Sequence, residues 1–417
     1  MSTTPEHAAG DTAVHVQEML QRGITQVRAG EHAVGMSSFE EAGRLATSAG
    51  LTALAAGAAI NRGWALALSG DTALSIDAYV EGADLAREAD DARRLVIALG
   101  NLGIAYTAER RYEEAAAVYE EYIPLLEGDA EEEIDSRLNW SVALEGLGRA
   151  DEASEQLDEA ERVAVDADLD QLLVRVHIAQ GAMRERAGEG EEALELYWKA
   201  FDIAAEAEDA DLVGTVTMTL GYAYTRAGDH AKAADCFGEA ARAFRHLEDH
   251  QRLAGALVRQ GRAMQTLGLV DQALEVWREA EPLLREIDDQ AALGECLLEQ
   301  AVAVSGQQSN MAPDLQFTEA AAAFRAVGAL DRLPEVFLTH AQWCRERALD
   351  KQARTHVDEA LAALADTPDA PVEVRALGLK AQILADAGDL EGAEAVLASA
   401  ESVGREAGDA LGLTGVM

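Results

Sequence analysis

Cysteine is nearly absent: Cys236, Cys296 and Cys344 are the only three, odd in number and far apart in 417 residues. They form no CxxC pair and no Cys/His zinc spacing, so a disulfide framework and a structural metal both lack support. They read instead as buried thiols packed like small apolar side chains. Proline occurs seven times and aromatic residues make up 5%. Alanine is used heavily in their place, which favours close-packed helices over sheets, because small side chains let helices approach. No apolar run reaches 18 residues, and residues 1–12 (MSTTPEHAAGDT) lack the basic start and apolar stretch of a secretory signal. The expectation is a cytoplasmic protein.

Positive charge is also scarce. Lys and Arg total 34 against 76 Asp and Glu, a formal net charge of −42. Only Lys199, Lys232, Lys351 and Lys380 are lysines; the arginine bias reflects a GC-rich genome better than a binding adaptation. A surface this acidic repels phosphate backbones and anionic lipid, which argues against nucleic acid or membrane as partner. It serves as a solvated coat that keeps an extended molecule soluble, with attraction of basic partners as the sharper reading. Apolar residues at 49% are ample for a core, so global disorder is excluded.

What is present is a repeat. Short turns fall at Gly30, Gly70, Arg110, Gly148, Gly188, Gly228, Gly268, Ala348 and Gly388. They lie 40 residues apart almost throughout, with one 38-residue step between Arg110 and Gly148. Seven residues before each turn sits a small side chain, from Gly23 and Gly63 to Ala341 and Ala381. Five residues after it comes another, and four further on a bulky one such as Phe39, Tyr79, Tyr119, Phe237 or Trp277. Two antiparallel helices pack closely where both carry small side chains, and the large one is expected to fill the gap to the next pair. Glycine inside a helix costs about 1 kcal/mol against alanine, so its recurrence at one register signals a steric need. An eighth turn is due near Gln308, and the helix that follows is expected to restart near Leu315, with Phe317, Ala320 and Phe324 setting its register. On that register "GQQSNMAPD" (306–314) inserts about seven residues, a loop carrying Gly306, Asn310 and Pro313.

The unit "MTLGYAYTRAGDHAKAADCFGEAARAF" (218–244) resembles a tetratricopeptide repeat, through Leu220, Gly221 and Tyr224 in its first helix and Ala233, Phe237 and Ala240 in its second. "NLGIAYTAERRYEEAAAVYEEY" (101–122) matches through Leu102, Gly103, Tyr106, Ala115 and Tyr119. The leading Trp of the family pattern is absent, and the period is 40 where the standard unit has 34. The extra residues are expected to lengthen the helices and their acidic junctions, such as "AEDAD" and "REIDDQ". The resemblance implies an all-α, right-handed superhelical solenoid of about ten helix-turn-helix repeats. It would occupy residues 13–408, between a flexible segment 1–12 and a tail 409–417.

No phosphate-cradling glycine loop, HExxH, GxSxG or EF-hand loop occurs. His246 and His250 lie four apart beside Asp249, at an acidic junction that makes a poor metal site. Acidic pairs are everywhere, so none stands out as an acid/base dyad. No cofactor, metal or catalytic residue is expected.

In the tetratricopeptide family the first helices line a groove with repeat positions 2, 5, 6, 9, 12 and 13, the small residue before the turn being position 8. Position 6 carries Asn61, Asn101 and Asn139, three of the four asparagines in the chain. A carboxamide can pair with both an N–H and a C=O of an extended peptide, and similar asparagine ladders hold peptides in this family. The competing reading is a hydrogen bond that fixes a neighbouring helix turn. Arg175, Arg186, Arg226, Arg259 and Arg262 also occupy groove positions and would suit carboxylates of a ligand, unless acids of the chain pair with them first. Trp64 and Tyr222, at position 9, would add apolar contacts. The Lys and Asn of the family's carboxylate-gripping members are missing from positions 5 and 9.

The function expected is a scaffold or adaptor whose groove binds a peptide or partner segment. The first alternative is a ligand- or peptide-sensing module acting on a separately encoded effector, and a remote one is an enzyme without a recognisable motif. Oligomeric state is left open.

Overall fold

The computed structural model describes residues 5–126, 128–306 and 313–406. These residues form twenty α-helices and two short 3-10 turns, and no strand occurs among them. The helices pair in chain order as ten hairpins, five in each of two compact units, residues 1–207 and 208–417.

The first unit begins with α1 (Pro5–Arg28) and α2 (His32–Ser48), then α3 (Thr52–Leu68) and α4 (Thr72–Glu88). It continues with α5 (Ala92–Ala108) and α6 (Tyr112–Tyr122), α7 (Ala130–Gly146) and α8 (Ala150–Asp166), α9 (Asp170–Arg186) and α10 (Gly190–Glu206). The second unit begins with α11 (Ala210–Arg226) and α12 (His230–His246), then α13 (His250–Thr266) and α14 (Val270–Glu286). It continues with α15 (Gln290–Gly306) and α16 (Asp314–Ala326), α17 (Leu333–Glu346) and α18 (Asp350–Asp366), α19 (Ala370–Asp386) and α20 (Leu390–Glu406). Within each unit every helix packs on the next in sequence, as an all-α solenoid requires. No helix among the described residues is long and apolar enough to cross a membrane. α1 starts at Pro5, inside the segment 1–12 expected to be flexible; proline is tolerated in the first turn, where its missing N–H has no partner to lose.

Most helices are 17 residues long, so the long period goes into the helices. The acidic junctions are not lengthened: 207–209 and 247–249 are three-residue links, like the turn 227–229 inside a hairpin. The links 227–229 and 247–249 close the same way. After α11 the Gly228 N–H donates to Thr225 O and the Asp229 N–H to Tyr224 O, a Schellman end that needs a left-handed residue. Glycine supplies it inside most hairpins, as at Gly228 with φ +76°. Between hairpins Asp90, Asp168, Glu208, Glu248 and Asp288 take it at φ 52–57°, a strain of about 1 kcal/mol each for a side-chain-bearing residue. At four of these five junctions an aspartate follows and caps the next helix, as Asp249 does by accepting the Arg252 N–H at 2.9 Å, while Leu169 follows Asp168 without a side-chain cap. The acidic junctions are therefore helix stops and starts as well as surface charge.

The bulky residue of each second helix does not fill the gap to the next hairpin. It lies against the glycine of its own first helix. A Cβ built on Gly221 would come within 2.5 Å of the Phe237 ring, and the same holds for Gly23 with Phe39 and Gly181 with Tyr197. Where the ring shrinks to Leu157 or Val357, the facing residue grows to Ser141 or Ala341. Volume conserved across the hairpin explains the repeated glycine.

The eighth hairpin also differs from the expected register. The segment 306–314 falls mostly on 307–312, outside the described residues, but both flanks are clear. Phe324 packs on Gly294 as Phe244 packs on Gly214, 80 residues earlier. Arg285 pairs with Glu319 as Arg245 pairs with Glu279. Gly328 takes the left-handed turn 40 residues after Asp288. Phe317, not Phe324, therefore matches Phe237, and the 40-residue period runs through without inserted residues. What changes is α16, which starts at Asp314 after Pro313 and keeps 13 residues. The 38-residue step has a similar cause. Pro124 ends α6 after 11 residues in a 3-10 turn, Ile123–Leu125.

Candidate functional site

The first helix of each hairpin leaves one face uncovered, and hollows open between successive first helices along it. In the first unit a hollow of about 310 Å³ spans α1, α3 and α5, and one of about 740 Å³ spans α5 and the start of α7. In the second unit hollows of about 540 and 380 Å³ lie over α13, α15 and α17 and over α17 and α19. Their walls come mainly from repeat positions 2, 5, 6 and 9: Gln17, Leu20, Gln21 and Ile24 on α1, or Glu335, Leu338, Thr339 and Gln342 on α17. Those are the groove positions implied by the family resemblance.

The 740 Å³ hollow has a specific origin. Position 5, bulky on the neighbouring first helices (Leu20, Ile60, Leu138), is Gly100 on α5, and the early end of α6 frees Tyr122 to reach across it. A Cβ on Gly100 would lie 2.8 Å from the Tyr122 hydroxyl, so only glycine admits this placement. The hydroxyl donates to Glu132 at 2.6 Å, and burial together with that carboxylate raises its pKa. On α5 the hollow is flanked by Ile97 and Ile104, 44% and 55% exposed, with Asn101 between them. Ile97 and Ile104 thus leave apolar surface open on this wall of the hollow. The sequence signals were Gly100 and Pro124, which a reading centred on asparagine passed over.

Asn61 lines the smaller hollow and Asn101 the larger, while Asn139 lies outside both walls. Asn101 Nδ2 donates to Ile97 O at 2.7 Å, the bond within its own helix that competes with a ligand role; its Oδ1 stays available. Asn61 and Asn139 make no hydrogen bond among the described residues and are half-exposed. Trp64 is half-buried against the core formed by Phe39 and its neighbours.

The groove arginines are mostly held by the chain itself. Arg175 pairs with Asp135 at 2.6 Å and Arg186 with Glu145 at 2.6 Å, each bridging α9 to α7. Arg262 pairs with Glu299 at 2.8 Å, and Arg259 stacks 4.6 Å above the Tyr222 ring, which itself meets Phe237 edge-on. Arg226 is also engaged. In the 540 Å³ hollow Arg259, Arg262 and Arg332 face Glu295, Glu299 and Glu335, so its charge is balanced and not positive. Exposed pairs like these contribute about 0–1 kcal/mol each and act mainly as bridges from one first helix to the next. His250 Nδ1 likewise lies 3.4 Å from Glu286.

The tetratricopeptide repeat family model matches residues 172–246. No curated protein matches the sequence. Among solved structures, the apo form of RapI is similar at a TM-score of 0.53 and 14% identity, over 84% of this chain and 98% of that one. A signal-transduction ATPase with numerous domains, carrying a tetratricopeptide repeat sensor, from Pyrococcus horikoshii, is similar at 0.51 and 14% identity. That match covers 85% of this chain and 55% of the other. Such likeness establishes the fold: an all-α, tetratricopeptide-like helical solenoid.

Proposed function

We propose that this tetratricopeptide-type solenoid is a binding protein whose first-helix face captures an extended segment of another polypeptide, and that it catalyses no reaction. The observation that carries the reading is the hollow over α5, where Ile97 and Ile104 stand open beside Asn101 and Tyr122. An apolar side chain of the ligand sits between the two isoleucines. Its backbone runs toward α3, where the Asn61 carboxamide, free of protein partners, is placed to bond it. Arg175, Arg186 and Arg262, tied to Asp135, Glu145 and Glu299, act as spacers between helices in this reading. Charge selects a neutral or basic segment over an acidic one. The sensor in the Pyrococcus ATPase supports a second reading, in which binding reports on a ligand to a separate effector.

Peptide-display selection on the full chain supplies the ligand, and fluorescence polarisation measures it. Ile97→Glu with Ile104→Glu should weaken binding at least tenfold at unchanged helical signal, because a carboxylate in an apolar contact is left unpaired. Asn61→Ala should weaken it about threefold to tenfold, one lost hydrogen bond. Full affinity in the folded double-isoleucine variant removes this hollow from the function.

A further inference from the structure

Away from the groove, three side chains with metal-binding chemistry meet where α16, α17 and α18 pack. His340 and Cys344 sit one turn apart on α17 and are buried; His356 reaches in from α18. Their donor atoms lie within 4.8 Å of one another. The imidazoles stack, with centroids 3.8 Å apart and planes 20° from parallel, and Phe317 stacks on the other side of His340. The spacing His340-x3-Cys344-x11-His356 matches no common zinc pattern, so the sequence alone does not reveal it.

We propose that His340, Cys344 and His356 form a site for a transition-metal ion of the zinc class, which ties α17 to α18. Each histidine already has the carboxylate partner that metal-bound imidazoles use. His340 Nε2 lies 3.1 Å from Asp314, and His356 Nδ1 lies 2.8 Å from Glu359. With those nitrogens donating, His340 Nδ1 and His356 Nε2 keep the lone pairs, the tautomers a metal requires. Tetrahedral coordination at about 2.0–2.3 Å puts ligand atoms roughly 3.5 Å apart, so the three need to close by about an ångström. His356, partly open to solvent, makes that adjustment by turning its ring out of the stack. Two imidazoles and a thiolate suit zinc or cobalt(II) over magnesium or calcium, which demand oxygen ligands. The thiolate and the carboxylates of Asp314 and Glu359 offset the ion's charge, with Arg347, stacked on Trp343, as the nearby cation. Binding replaces the S–H bond by an S–metal bond and releases one proton to solvent. Because binding releases that proton, affinity should rise with pH. A fourth position remains for water.

An acidic chain collects divalent ions loosely on its carboxylates, so the test must read the thiolate. Cobalt(II) is titrated into the full chain with excess magnesium present, and sulfur-to-cobalt charge-transfer absorption is followed in the near ultraviolet. One equivalent should saturate the band. Cys344→Ala should abolish it, Cys236→Ala should leave it intact, and zinc should displace the cobalt. If Cys344→Ala does not fold, His356→Gln, at a partly exposed side chain, should lower the affinity at least tenfold. No band in the folded wild-type chain, or a band unaffected by these His and Cys variants, overturns the proposal.

Discussion

Replacing Gly221 by alanine tests the packing rule that repeats along this chain. The substitution adds one methyl to the middle of α11, where it should gain about 1 kcal/mol of helix propensity. The methyl carbon would lie 2.5, 2.7 and 2.9 Å from three ring atoms of Phe237, against an ordinary carbon contact of about 3.5–4.0 Å. The ring therefore has to retreat by about an ångström. It is 3% exposed and held edge-on by Tyr222 at 5.6 Å, so the strain falls on packed neighbours. Overpacking of this kind costs about 1–3 kcal/mol. Gly255→Ala in α13 is the control, with nothing within 4 Å of its added carbon and the same gain in propensity. Gly221→Ala should thus be less stable than Gly255→Ala by about 1–3 kcal/mol in urea unfolding, the propensity cancelling between them. Hydrogen exchange should place the loss on α11 and α12, because each hairpin touches only its neighbours. Adding Phe237→Leu should recover part of the strain. Equal midpoints for the two alanine variants would refute the argument that the ring is why glycine occupies this register.

Phe317→Ala should cost about 3–5 kcal/mol, while Leu315→Ala, on a side chain 63% exposed, should change the unfolding midpoint little; the reverse would break the register drawn through α16. Asp249→Ala should cost about 1 kcal/mol at pH 7 through loss of the cap on α13. The Arg252 backbone N–H holds the Asp249 pKa below the ordinary aspartate value, so the cap's contribution is present above that ordinary value and fades as pH falls through the lowered folded one; the gap between the melting temperatures of the two proteins should therefore be smaller at pH 3 than at pH 7. Raising sodium chloride from about 20 to about 500 mM should raise the melting temperature, since screening relieves self-repulsion at a net charge of −42 more than it weakens exposed bridges such as Arg175–Asp135. A falling melting temperature would show that the bridges dominate.

The period of 40, the small residue at position 8 and the aromatic after the turn were legible in the sequence, because a solenoid repeats its local packing and so repeats its letters. That made the helical hairpins and the groove positions readable from Gly23 to Ala381. Four features needed the tertiary structure. Which helix the aromatic packs against depends on the direction of its side chain, and Phe237 lies on Gly221 of its own hairpin. The register through α16 could be settled only by contacts across hairpins, Phe324 on Gly294 and Arg285 with Glu319, since Ala320 and Phe324 fit two alignments equally well on paper. Side-chain availability in the groove is a matter of neighbours 37 to 41 residues away. Arg175 and Arg186 were visible as groove residues, but their partners Asp135 and Glu145 are chosen by how one first helix lies beside the next. The same holds for His340, Cys344 and His356: their order along the chain carries no metal signature, and only the packing of α17 on α18 brings them together.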